Sequence, residues 1–127
     1  MDSINISEEI RIFTLISLVT LRDFLKNISP SAEVPAASIK FNLHAVISAI
    51  NKFESCALGL SSQECKVVYM AVRERRDEIS SELDSEANPA VREVLVDDFR
   101  KANHTLRFWR NALLSSESGR AILGAFD

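Results

Sequence analysis

Apolar residues recur at three- and four-residue intervals through four long stretches of this chain, the period of helices that bury one face. The first stretch opens at Ser7, a capping residue followed by Glu8 and Glu9, whose charges suit the positive end of a helix. It should run to about Ile28, before Pro30. Ile10, Ile12, Phe13, Leu15, Ile16, Leu18, Val19, Leu21, Phe24, Leu25 and Ile28 cover most of its circumference. The pattern therefore predicts a central helix with neighbours all round. Pro30 and Pro35 make Ser29 to Ala37 a non-helical linker.

A second helix is expected from about Ser38 to Leu58, where Ile39, Leu43, Val46, Ile50, Phe53 and Ala57 alternate by four and three. Gly59 follows, where a left-handed C-cap would serve. Ser61 and Glu64 have the spacing of a capping box for a third helix reaching about Leu83. Its stripe is Cys65, Val68, Val72, Ile79 and Leu83, and Arg75-Arg76 stands in the one missing turn. Asn88-Pro89 is a start signal for a fourth helix, to about Leu114. Val91, Leu95, Phe99, Ala102, Leu106, Trp109 and Leu113 form its core face. Gly119 to Phe126 reads as a short final amphipathic helix.

Short connections between consecutive helices imply antiparallel neighbours. The fold expected is an all-α single domain over residues 1–127, an antiparallel up-down-up-down four-helix bundle with a short fifth C-terminal helix. Only three glycines and three prolines occur in 127 residues, too little punctuation for an all-β fold. A chain of that length can bury a core without metal or disulfide support.

Charge and targeting add exclusions. The 15 basic and 18 acidic side chains leave a net charge of −3, unlike the basic excess of a dedicated nucleic-acid binder. The run Ile12 to Leu21, bounded by Arg11 and by Arg22-Asp23, falls short of the ~20 residues a bilayer requires. Glu8 and Glu9 precede it where a secretory leader would be basic. The expectation is a cytoplasmic protein that makes no membrane contact. Cys56 and Cys65 match no metal spacing, and are read as reduced thiols, although they would flank a turn that could bring them together.

Catalytic apparatus is sparse, so an enzyme is not the expectation. His44 and His104 fall on polar helix sides, and no phosphate loop, nucleophile elbow or metal-binding histidine pair is present. The acids Glu74, Asp77, Glu78, Glu82, Glu93, Asp97 and Asp98 suggest the magnesium sites of all-helical nucleotide pyrophosphohydrolases. Their second pair, Glu93 and Asp97, is one residue too widely spaced for that motif, and arginines interleave the series. Arg110-Asn111 matches the start of the motif in helical-bundle ribonucleases of the HEPN type, but Ser115 stands where their histidine would be. No cofactor and no metal site are implied.

The informative residues break the pattern. Asp23 continues the line Ile12, Ile16, Val19; Arg76 fills the gap between Val72 and Ile79; Arg110 lies within the apolar arc of helix four. A buried charge needs a partner or a route to solvent, so an Asp23–Arg76 or Asp23–Arg110 pair inside the bundle is one expectation and snorkelling the other. A second apolar line on helix four, Val94, Thr105, Phe108 and Ala112, runs opposite the core, with Phe108 ~180° from Phe99 on a regular helix. Phe41, Val67 and Met70 are read as similar outliers. An aromatic with apolar neighbours one turn away suits an interface, unless the C-terminal segment or the linker covers it.

The function expected is therefore a small protein-binding module, an inhibitor, immunity, adaptor or chaperone-like protein of bacterial or phage type. Its partner would be another protein or a second copy of the chain. Contact residues would be Phe108, Arg107, Val94, Ala112 and Arg73. Two alternatives are a nucleic-acid binder using Arg100, Lys101, Arg107 and Arg73, and a metal-dependent nucleotide hydrolase using Glu78, Glu82, Glu93 and Asp97.

Overall fold

The structure, a computed structural model, describes residues 6–55 and 59–126. Five helices make it up: α1 (Glu8–Asn27), α2 (Ala36–Glu54), α3 (Ser62–Ser85), α4 (Pro89–Leu114) and α5 (Glu117–Phe126). No strand occurs among the described residues, so the chain is all-α.

The helix starts lie where the capping chemistry put them. Ser7 accepts the Ile10 amide at 3.3 Å, and Asn88 accepts from Ala90 and Val91 ahead of α4. Ser61 and Glu64 complete a reciprocal capping box at α3. The second helix starts earlier than its pattern suggested, directly after Pro35, because Pro35 itself takes the extended capping conformation. Ser55 is its C-cap. Gly59 is not in the left-handed region and does not end that helix. Cys56, Ala57 and Leu58 lie outside the described residues, and with them the question of a Cys56–Cys65 approach.

One large core holds Leu18, Leu21 and Leu25 of α1, Val46, Ile50 and Phe53 of α2, Val67, Val68 and Val72 of α3, and Leu106, Trp109 and Leu113 of α4, with Leu123 of α5. A smaller one, Ile79, Leu95 and Ala102, joins the far halves of α3 and α4. Buried hydroxyls are accommodated within this core. Thr14 Oγ1 accepts the Trp109 indole N–H at 2.9 Å, and Thr105 Oγ1 donates to the Lys101 carbonyl at 2.8 Å. Among the described residues no buried side-chain nitrogen or oxygen lacks a hydrogen-bond partner.

Helix α1 touches α2, α3 and α4, and α5 lies against α3 and α4. Three neighbours do not enclose a helix. Ile12, Ile16 and Phe24 are 47%, 51% and 56% exposed, which corrects the expectation that α1 is buried all round. Length explains a second departure. The 24 and 26 residues of α3 and α4 outreach the 20 and 19 of α1 and α2 by several residues at ~1.5 Å each. Near their connection no third helix covers them, so Val91, assigned to the core face, is exposed, as are Val94 and Val96. In the opposite sense, Val67 and Thr105 are fully buried and Met70 packs against the core. The α3–α4 interface and the helices beside it claim more of each circumference than one stripe predicts.

Candidate functional site

Two stripes with the same spacing face each other across α3 and α4. Tyr69, Arg73 and Arg76 stand at intervals of four and three on α3; Asn103, Arg107 and Arg110 repeat those intervals on α4. Such spacing keeps each trio on one helix face. Together with Leu106 they line a groove of about 370 Å³. Its described lining contains four guanidinium groups, a phenol and an amide, and no carboxylate.

Three of the four arginines are held. Arg73 Nη1 donates to the Phe126 carbonyl at 3.0 Å, at the negative end of α5, and its guanidinium lies 5.8 Å from the centre of the Phe126 ring. Arg76 donates twice to Asp77 Oδ1, at 3.0 and 2.8 Å. Arg110 Nη1 donates to the Tyr69 hydroxyl at 3.4 Å. Tyr69 is itself buried, its ring tilted against Phe126 at 5.3 Å. Arg107 is exposed, and it alone of the described arginines has no hydrogen-bond or ion-pair partner.

Other basic groups of α4 are engaged within the fold. Arg100 bonds Glu9 and Asp97, Lys101 bonds Asp97, and Arg92 caps the end of α3 through the Leu83 and Glu86 carbonyls. Four arginines of α3 and α4 thus converge on the groove, Arg76 among them already paired with Asp77, while others are engaged away from it. Arg73 and Arg107 lie in the groove; Arg100 and Lys101 lie outside it, bonded to acids. The acidic series is likewise engaged, with Asp77 on Arg76, Glu78 on Arg75 and Asp97 on Arg100 and Lys101. Among the described residues no three His, Cys, Asp or Glu side chains come close enough to hold a metal ion.

Phe108 and Ala112 sit apart from this groove. Both are half-buried, and they line a separate cleft of about 660 Å³ with Leu60, Cys65 and Ile122. Phe108 packs edge-on against Trp109 at 5.1 Å. It is not the open aromatic that its angle to Phe99 suggested. Val94 is exposed near the far end of α4, and Thr105 of the same line is core. The five expected contact residues are thus divided among three places: Arg73 and Arg107 in the groove, Phe108 and Ala112 in the cleft, Val94 alone.

The expected internal ion pair does not form. Asp23 is exposed and bonds its neighbour Arg22 at 3.3 Å, whereas Arg76 and Arg110 lie in the α3–α4 groove. Asp23, Ile12 and Ile16 belong to the open side of α1, and of their line Val19 packs against the core. His44 and His104 are both exposed.

One buried charge did escape the sequence reading. Glu64, whose side chain is 5% exposed, accepts Lys52 Nζ at 2.6 Å, Ser48 Oγ at 2.6 Å and the Ser61 amide at 2.7 Å. Burial alone would raise its pKa, but these bonds outweigh that and hold it at about 2. Lys52 also donates to the Gly59 carbonyl at 2.7 Å, so the network ties α2 to the start of α3. Ser48 and Lys52, four residues apart on a polar strip of α2, were the available signal. The Cys65 thiol, pushed up by burial, is a poor nucleophile there. Among the described residues no helix is long and apolar enough to cross a membrane.

Compared with protein-family models, with curated proteins and with solved structures, the chain finds no match in any of the three.

Proposed function

We propose that this chain is a binding module that acts by contact rather than catalysis, docking an acidic surface of a protein partner in the α3–α4 groove. The scaffold in this reading is an antiparallel up-down-up-down four-helix bundle whose α5 folds back along α3 and α4. Contacts between successive helices and between α1 and α4 support that arrangement.

The observation that carries the reading is the convergence of Arg73, Arg76, Arg107 and Arg110 without a lining carboxylate among the described residues. Guanidinium groups remain charged at any physiological pH, and grouping them costs Coulomb energy that stability alone does not require. In a chain with an acidic excess, arginines scattered at random over the surface would meet acids, as Arg11, Arg22, Arg75 and Arg100 do and as Arg76 of the groove does through Asp77. A planar fork of donors suits bidentate recognition of oxyanions, which is why arginine anchors interfaces more often than lysine.

The test is affinity capture of partners from cells by the wild type and by the double charge reversal Arg107→Glu, Arg110→Glu. The reading expects a protein held by the wild type, released progressively by salt and lost from the reversed variant. A partner retained equally by both proteins would overturn it.

A further inference from the structure

We propose that the α3–α4 groove is a phosphate-monoester site, and that the acidic group it accepts on a partner is a phosphorylated side chain. This rests on the reading of the groove as the docking face and names the chemistry that fits it.

Donor supply is the first argument. Arg73, Arg76, Arg107 and Arg110, with the Tyr69 hydroxyl and the Asn103 amide, line about 370 Å³. A carboxylate brings one charge and two oxygens to such a site. A phosphate monoester brings a charge of about −1.5 to −2 and three terminal oxygens, so it engages several guanidinium groups at once. Pre-organisation is the second. Arg73 is fixed by the α5 carboxyl-terminal carbonyl, Arg76 by Asp77 and Arg110 by the Tyr69 hydroxyl, while Arg107 keeps its donors uncommitted. Three positioned guanidinium groups, that of Arg76 already sharing its charge with Asp77, and one free arm order few side chains on binding, which keeps the entropic cost low.

The surroundings favour a single localised anion over a polyanion. Nucleic acid needs basic groups that follow its backbone, but the next ones along α4, Arg100 and Lys101, are neutralised by Glu9 and Asp97. Single-strand binders also offer aromatic faces to bases. The aromatic ring of this groove, Tyr69, is buried against Phe126.

Isothermal titration of the intact chain tests this with five probes: inorganic phosphate, glycerol phosphate, and a short glycine-rich peptide carrying serine, phosphoserine or glutamate at one position. The phosphoserine peptide should bind at least tenfold more tightly than its glutamate form, and phosphate should compete with it. Arg107→Gln, which removes no hydrogen bond or ion pair among the described residues, should weaken binding at least tenfold with an unchanged melting temperature. A phosphoserine peptide that binds well above glycerol phosphate places the ester on a protein; equal affinity assigns the site to small phosphate esters and overturns the partner half of the proposal. Equal binding of phosphoserine and glutamate peptides overturns the phosphate assignment while the acidic-partner reading stands. No binding by any probe, with capture insensitive to Arg107→Glu, Arg110→Glu, removes both. A single-stranded oligonucleotide that outcompetes the phosphopeptide with a steep salt dependence overturns the proposal in favour of nucleic acid.

Discussion

Gly119 and Gly124 lie in the same ten-residue helix, and alanine at the two positions should have opposite effects. A Cβ built at Gly119 would stand 2.0 Å from the Leu113 carbonyl oxygen and 2.7 and 2.8 Å from the Leu113 carbonyl carbon and Cα. All three are backbone atoms of α4, so no side chain can swing aside, and the start of α5 must withdraw by about 1.5 Å to restore contact distances of ~3.5 Å. Docking of α5 depends on Leu123, which is 3% exposed, and on half-buried Ile122 and Phe126. Burying such side chains contributes roughly 1.5–3 kcal/mol when complete and about half that when partial, or ~3–6 kcal/mol for the three. Even a gap of ~0.5–1 Å forfeits a quarter to a half of contact attraction, so Gly119→Ala should cost at least about 1–3 kcal/mol, the usual range for overpacking. At Gly124 a Cβ meets nothing within 4 Å, and alanine should stabilise by ~0.5–1 kcal/mol through helix propensity and a less entropic unfolded chain. Urea denaturation followed by Trp109 fluorescence measures both. A Gly119→Ala midpoint at or above the wild-type value would refute the close seating of α5 on Leu113.

Three further outcomes follow from the described contacts. Glu64 has an ordinary value of 4.5 and a folded value of about 2, so its contribution, about 3 kcal/mol, is present above pH 4.5 and lost as pH falls towards 2. Stability measured across pH 2–6 should lose that share of its acid slope in Glu64→Gln, and an unchanged slope would contradict the network. Thr14→Val keeps the volume but leaves the buried Trp109 indole N–H without its acceptor, so it should destabilise by ~1–3 kcal/mol in thermal unfolding. Asp23→Ala breaks only the exposed pair with Arg22 and should change stability by no more than ~0.5 kcal/mol; a larger loss would restore a structural role for Asp23.

Three helix starts were legible because capping is local. Ser7, Ser61 with Glu64, and Asn88-Pro89 each act within one turn, and the helices begin beside them. Exposure was less legible, since it depends on how many neighbours a helix has and how far they reach. Ile12 and Ile16 match core residues in chemistry yet lie on the open side of α1, and Val91 lies beyond the cover of the shorter helices. The arginine groove was half legible: Arg73 and Arg107 were singled out, but a helical wheel treats one helix at a time and cannot bring Arg76 and Arg110 to the same place. Lys52 and Glu64 escaped for that reason too, being twelve residues apart on different helices.

The indole–hydroxyl bond between Trp109 and Thr14 joins positions 95 residues apart, and that separation sets an order of assembly. A chain emerging from the ribosome presents α1 before the other four helices, with Thr14 and the apolar residues around it facing water. Helices α2 and α3 can dock as they appear, but the side of α1 that α4 covers stays open until residue 109 is free. At about 5–20 residues per second that exposure lasts several seconds, far longer than the sub-millisecond collapse of a chain this size. During synthesis the N-terminal helix is therefore the segment most open to chaperone binding or to pairing with a neighbouring nascent chain, and the arrival of α4 ends that interval.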